Sequence, residues 1–315
     1  MRTDTFLLDT ADETPVFVHC WSPEGTPRAA VQLAHGMAEH GARYERFAQA
    51  LTDAGYVVYA GDHRGHGKTV RDPNDVGYFK DEEGFDAVVD DMSVLTQRIK
   101  ADHPGLPVFL FGHSMGSFLS RMYVTKYGSE LAGLVLSGTG GSAGPLGKVG
   151  RAIAGVQAKV KGRRHPSGLM NKLTFGQYNA AFKPARTDFD WLSRDEAEVD
   201  RYIADPKCGE LFTAGFYADL LHGLERVNDD KVVSATPDDL PILLVSGSND
   251  PVGGKEAKGV REVAAQLRTT GVREVTTTIY PEARHELLNE TNRDEVTADL
   301  LAWFDAHLPQ QGTSA

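Results

Sequence analysis

Cysteine is nearly absent from this chain of 315 residues, with Cys20 and Cys208 the only two. Two thiols in a chain this long are no disulfide framework, so both are expected to be reduced. Neither lies in a C-x-x-C motif, which leaves zinc and thiol redox chemistry without support. Long apolar runs are missing too: none approaches the ~18 residues of a membrane-spanning helix. The opening stretch MRTDTFLLDTADE has charges where a signal peptide needs its apolar centre, so the expected location is cytoplasmic. There is no excess of positive charge. The net charge of −11 disfavours nucleic acid as a partner of the whole molecule. No internal repeat is present, and the one glycine-rich tract is 138–147. A hydrophobic content of 41% and a charged content of 24% are those of a soluble globular protein. The length allows one elaborated domain or two modest ones.

What is there is an alternation of strand-like and helical patterns, the signature of a parallel sheet covered by helices. FLLD and PVFVHCWS read as an opening hairpin. AAVQLAHG, YVVYAGD, PVFLFG, LAGLVLSG, PILLVSG and VTTTIY read as successive strands. Helices are expected after Tyr44, across 83–105, after Met115, over 255–270 and through Val296, Leu300, Leu301 and Phe304. The stretch 139–230 interrupts the alternation. Residues 139–187 hold nine Lys or Arg and no Asp or Glu, after which the chain turns acidic. The predicted organisation is a core at 1–138 and 231–315 with a lid at 139–230. Such a lid would lie over the carboxyl ends of the strands, where α/β sheets place their sites.

The stretch PVFLFGHSMGSFLSRMYVTKYG, residues 107–128, raises the functional question. A strand buried on both faces hands over to an amphipathic helix through one serine fenced by Gly112 and Gly116. A turn that sharp closes only if the flanking positions carry no side chain, and it lifts the Ser114 hydroxyl clear of the sheet. The same G-x-S-x-G expression matches GGSAG at 140–144, but Pro145 and the surrounding glycines predict a loop around Ser142 rather than an immediate helix.

A serine hydroxyl needs a base, and the base needs an orienting acid. In the chain order Ser, acid, His, Asp250 follows the strand PILLVSG and His285 follows VTTTIY, so two late strands deliver both groups to the edge where Ser114 emerges. The rival His307 ends the last helix, where the helix dipole accounts for it. An oxyanion would need two backbone N–H donors. Met115, after the serine, and Met37, in the loop HGMAEHG, are the candidates. GDHRGHGKT resembles the end of a phosphate loop, but Asp62 stands where glycine is required and would repel phosphate. His35, His40, His63 and His66 match no helix-borne zinc spacing, so neither a metal nor a cofactor is expected.

In this order, HGMAEHGARY, DHRGHG, GHSMGS, GSNDPV and ARHELLNE resemble the monoglyceride lipase and lysophospholipase branch of the α/β-hydrolase superfamily, over residues 15–308. The resemblance implies the α/β-hydrolase fold, with a mostly parallel sheet flanked by helices and a helical lid after the sixth core strand. It implies Ser114, Asp250 and His285 as a triad and Met37 and Met115 as oxyanion donors. The implied activity is hydrolysis of carboxylic esters, of the monoacylglycerol or lysophospholipid type. A small-ester esterase and a peptidase or amidase with the same triad are the alternatives. Lys68 and Ser117 depart from the usual pattern of the branch. The predicted helix 148–161 puts Val149, Ala152, Ile153, Val156 and Val160 on one face, with Lys148, Arg151, Lys159 and Lys161 on the others and Arg163 and Arg164 following. Two readings stay open: the apolar face covers the acyl pocket, or the basic stretch 148–164 draws the molecule to an anionic lipid surface.

Overall fold

Continuously apolar runs become the interior of a single sheet. The computed structural model describes residues 1–309. Its strands are β1 (Arg2–Leu8), β2 (Val16–Ser22), β3 (Ala29–Ala34), β4 (Tyr56–Gly61), β5 (Val108–His113), β6 (Gly133–Ser137), β7 (Ile242–Gly247) and β8 (Val275–Tyr280), in the order β1-β2-β4-β3-β5-β6-β7-β8. β1 and β2 form the expected antiparallel hairpin, and β2 runs antiparallel to β4; every later pair is parallel. β3 through β7 are buried along their whole length, as strands with helices on both faces must be.

Successive side chains on β5 go to opposite layers. Phe109 and Phe111 pack with α1 (Glu45–Asp53), through Phe47 and Leu51, and with the last helix, Arg293–Ala306, through Leu300 and Phe304. Leu110 joins the other layer with α2 (Gly84–Asp102) and α3 (Met115–Tyr127). Between β6 and β7 come α4 (Gly144–Lys161), α5 (Gly168–Thr174), α6 (Glu196–Ala204), α7 (Ala214–Arg226) and α8 (Asp230–Val233). The chain ends with α9 (Lys258–Thr269) and α10, the Arg293–Ala306 helix.

Three expectations are corrected. The helix expected from 255 begins at Lys258, because Glu256 and Ala257 sit at φ 52° and 56° in the turn before it. No loop persists beyond Ser142: α4 starts at Gly144, and Pro145 occupies its first turn, where a missing N–H costs nothing. The third concerns which side of α4 faces inward. Val149, Val156 and Val160 are 56%, 64% and 76% exposed and Leu146 is 82% exposed, while Ala154 and Ala158 are buried. Small residues let α4 lie close against α7, with Gly150 facing Leu221, and the large apolar side chains are left outside. Ile153 alone of the expected apolar face packs on the core.

Glycines with and without neighbours should respond oppositely to alanine. A Cβ at Gly116 would lie 2.0 Å from Ala34 O, whereas at Gly155 in α4 nothing lies within 4 Å. Gly116→Ala should cost about 1–3 kcal/mol or more in urea denaturation; Gly155→Ala should gain up to ~1 kcal/mol. The reverse ranking would mean that the β5–α3 turn is not packed as described.

Candidate active site

β5 runs into α3 through Ser114, at φ 52° and ψ −117°, a conformation that costs a non-glycine residue about 1–3 kcal/mol. A Cβ on Gly112 would meet Gly116 O at 2.5 Å, and one on Gly116 would meet the carbonyls of Ala34 and His35. Both glycines are therefore required by backbone contact. Met115 is the first residue of α3. Its N–H has no intrahelical acceptor, and it finds none elsewhere among the described residues. The Met37 N–H is also without an acceptor among them.

The Met37 loop is held by charge. A side chain at Gly36 would crowd the loop, since a Cβ would lie 2.8 Å from Glu39 Oε1 and 3.2 Å from the Cβ of Ser114. The Gly36 N–H donates to Glu39 Oε1 at 2.5 Å, and the Tyr44 hydroxyl donates to the same oxygen at 2.8 Å. Arg43 donates to Glu39 Oε2 at 2.7 Å and, through two nitrogens, to Glu286 at 2.6 and 2.8 Å. All three charged groups are nearly out of solvent, so removing Arg43 would leave two buried carboxylates uncompensated, at about 3–5 kcal/mol. Burial alone would raise both acids; the Arg43 guanidinium outweighs it and holds Glu286 at about 2 and Glu39 below its usual range.

His285, one residue before Glu286, follows β8. Its Nδ1 lies 2.9 Å from Asp250 Oδ1, with both residues buried, and Asp250 follows β7. A carboxylate on Nδ1 sets the tautomer and frees Nε2 for the cavity. Burial by itself would lower the imidazole's pKa; the Asp250 carboxylate and its hydrogen bond, with Glu286 and Glu39 behind, reverse that and raise it. His113, 4.7 Å away ring to ring, has no such partner, and burial together with His285 pushes it down to about 4.

Ser114, His285, Met37 and Met115 line one cavity of about 80 Å³. No hydrogen bond closes between Ser114 and His285, as is common for such pairs without substrate. The remaining positions fall elsewhere. Ser142 is exposed, and its Oγ accepts from Gly144 N–H at 3.1 Å. His307 pairs with Glu274 at 2.7 Å. His35, His63 and His66 pack together tilted or edge to face, and burial drives each down to about 3, so they form a neutral aromatic cluster. Asp62 staples a turn, accepting from Gly41 and Lys68 N–H at 2.8 and 2.7 Å. Lys68 lies over the Phe17 ring, and the Ser117 hydroxyl donates to Ser114 O at 2.6 Å.

Sequence reasoning missed the aromatic wall of the cavity. Trp191 packs against His285 at 4.9 Å and against Tyr178 at 4.7 Å between ring centroids, both at a tilt, with Phe175 beside them. The density of aromatics in 175–191 was the available signal. The Glu39–Arg43–Glu286 network was also missed, because 243 residues separate Arg43 from Glu286.

Residues 25–292 match the serine aminopeptidase S33 family. The chain belongs to this family. A monoacylglycerol lipase of Mycolicibacterium smegmatis is 33% identical over 91% of this chain and 92% of its own. The human monoglyceride lipase is 29% identical over 98% and 92%. Among solved structures, a thermostable carboxyl esterase from Bacillus coagulans in complex with glycerol superimposes with a TM-score of 0.91 at 28% identity, covering 98% of this chain and all of that one. The protein is a carboxylic ester hydrolase with the α/β-hydrolase fold.

The titration of His285 follows from its surroundings. Followed by NMR, its pKa should lie above 6.5 in the wild type, and Asp250→Asn should lower it, because the largest influence opposing burial is then gone while Glu286 and Glu39 remain. His113 should stay neutral down to about pH 4. A wild-type His285 titrating below 6.5 would show that Asp250 does not govern it.

Proposed function

We propose that this hydrolase cleaves monoacyl lipid esters through an acyl-enzyme on Ser114. The observation that carries the reading is the pair of free N–H groups on Met37 and Met115, lining the same cavity as Ser114 and the Asp250-bound His285. Ser114 Oγ attacks the ester carbonyl while His285 Nε2 takes its proton. The two N–H groups receive the oxyanion, the form in which their electrostatic contribution is largest. Collapse breaks the ester C–O bond, and His285 gives its proton to the departing alcohol. Water then attacks the acyl-serine with His285 again as base, releasing the carboxylic acid. Asp250 keeps the imidazole oriented and offsets its positive charge.

The surroundings of the cavity favour an amphiphile. Phe118, Leu220, Leu224 and Val252 supply apolar walls. Leu224 also lines a groove of about 280 Å³ with Leu221 and Pro145, suited to an acyl chain. On the other side Phe175 and Tyr202 separate the cavity from a chamber of about 400 Å³ with Asn171, Lys172, Asn179, Asp188 and Glu210, suited to a polar head group. The relatives named as monoacylglycerol lipases support the same class. Amide cleavage by an aminopeptidase is the second reading, from the family's description. Such an enzyme needs a free carboxylate for the substrate's ammonium close to the scissile bond, and the acids lining the Ser114 cavity itself, Glu39 and Glu286, are both taken by Arg43, which leaves only Asp188 and Glu210 in the outer chamber. The ester reading is preferred.

A fluorophosphonate probe should label the protein once, at Ser114. Ser114→Ala should abolish labelling and lower kcat on a monoacylglycerol by several orders of magnitude, while Ser142→Ala changes neither. Undiminished turnover in Ser114→Ala sinks the assignment.

In this proposal 139–230 acts as a cap and docks on lipid. Of its basic side chains, Arg151, Arg163 and Arg164 are engaged by Glu225, Asp219 and Asp75. The docking face is therefore apolar first: Leu146, Val149, Val156 and Val160 stand outside, next to the exposed Lys148, Lys159 and Lys161. Burying each Val or Leu would contribute up to about 1.5–3 kcal/mol, and each lysine up to about 1 kcal/mol at an anionic surface. Val149→Ser, Val156→Ser and Val160→Ser together should release the protein from anionic vesicles at any salt. Replacing the three lysines with glutamine should weaken binding only at low salt. Hydrolysis of a short soluble ester should survive both changes. Vesicle binding that is absent in the wild type, or unchanged by the serine variant, removes this part of the proposal.

A further inference from the structure

The fold brings together three metal-ligating side chains from two distant places, outside the cavity at Ser114. His40 closes the loop that carries Met37; Asp205 and Cys208 belong to the turn DPKC after α6. His40 Nε2 lies 2.9 Å from Asp205 Oδ2, and the three ligand atoms all fall within 4.8 Å of one another. None of the three residues lines the Ser114 cavity.

We propose that His40, Asp205 and Cys208 form a binding site for a borderline-soft divalent cation of the zinc type, one that staples the Met37 loop to the segment between β6 and β7. A neutral imidazole, a carboxylate and a thiolate are the donors zinc prefers, and three protein ligands leave the fourth tetrahedral position to water. In such a site the ligand atoms stand about 3.4–3.6 Å apart, given metal–ligand bonds of about 2.0–2.3 Å. Reaching that spacing from the present arrangement takes shifts of about 1 Å. Parts of the outer shell are in place. Asp205 Oδ1 accepts from the Lys207 N–H at 2.9 Å, which orients the carboxylate and leaves Oδ2 for the metal. Cys208 N–H donates to Asp205 O at 3.0 Å, fixing the turn that presents both side chains.

Charge points the same way. The charged groups that act most strongly on Cys208 are Arg43 on one side and Glu39, Asp205 and Glu286 on the other, so among these four the negative charges outnumber the positive one. The ammonium of Lys207 is turned to Gly67 O, 3.0 Å away. The Asp205 carboxylate is 31% exposed, which opens a path from solvent. Two hydrogen bonds already join the same two segments: Tyr202 hydroxyl and Gly209 N–H both donate to Ala38 O, at 2.9 and 3.0 Å. A metal at this point would reinforce that junction without entering the ester chemistry.

Cobalt(II) reports on such a site directly, because a cobalt–thiolate bond produces a charge-transfer absorption in the near ultraviolet. Titration of chelator-stripped protein with Co²⁺ should give this band, saturating at one ion per chain, and zinc should displace it. The band should vanish in Cys208→Ser, persist in Cys20→Ser, and require at least tenfold more Co²⁺ in His40→Gln. Zinc should raise the Tm of the wild type and leave that of Cys208→Ser unchanged. Hydrolysis of a short soluble ester by Cys208→Ser checks that the variant is folded. No band in the wild type at about millimolar Co²⁺, or a band that survives in Cys208→Ser, overturns the proposal. Neither result bears on Ser114, since the spectroscopic readout does not use turnover.

Discussion

The close approach of Gly116 to the carbonyls of Ala34 and His35 is the constraint on which the rest of the site depends. There the N-terminus of α3 presses against the end of β3 with no side chain between them. The contact holds the β5–α3 turn tight enough to keep Ser114 at a positive φ. It also sets the free N–H of Met115 beside the loop leaving β3. A packed interior tolerates no compromise at this distance, since a single methyl would have to displace backbone rather than a mobile side chain.

The second support is electrostatic. Arg43 stands between Glu39, which fixes the Met37 loop through Gly36 N–H, and Glu286, which adjoins His285. One guanidinium thus links the loop after β3 to the loop after β8. Both carboxylates remain ionised out of solvent, and their charge, with that of Asp250, keeps His285 more basic than burial alone would allow. Proton affinity and loop position are set by the same ions, so neither changes without the other.

The segment between β6 and β7 completes the site by packing rather than by chemistry. Its Trp191 covers the face of His285, and its backbone accepts from the His285 and Glu286 N–H groups at 3.4 and 2.7 Å. The same segment carries four large aliphatic side chains, Leu146, Val149, Val156 and Val160, on the outside of α4, where they stand exposed. It is therefore two-faced, with an aromatic interior toward the sheet edge that carries Ser114 and His285 and an apolar exterior.

Much of this was legible in the sequence because it depends on local order. The strand–serine–helix pattern at 107–128, and the late strands followed by Asp250 and His285, are short-range signals, and chain order along a parallel sheet places their ends on one edge. Local pattern could not decide which face of α4 is buried. A helical wheel ranks faces by hydrophobicity, whereas the partner α7 accepted the face of small residues, which allows the closer approach. Nor could it decide the contacts that join remote segments: Arg43 to Glu286, Trp191 over His285, or His40 beside Asp205 and Cys208. Each of these pairs is separated by about a hundred residues or more. Side chains so far apart leave no periodicity in the sequence, and only the folding of the sheet and of the segment between β6 and β7 puts them within reach.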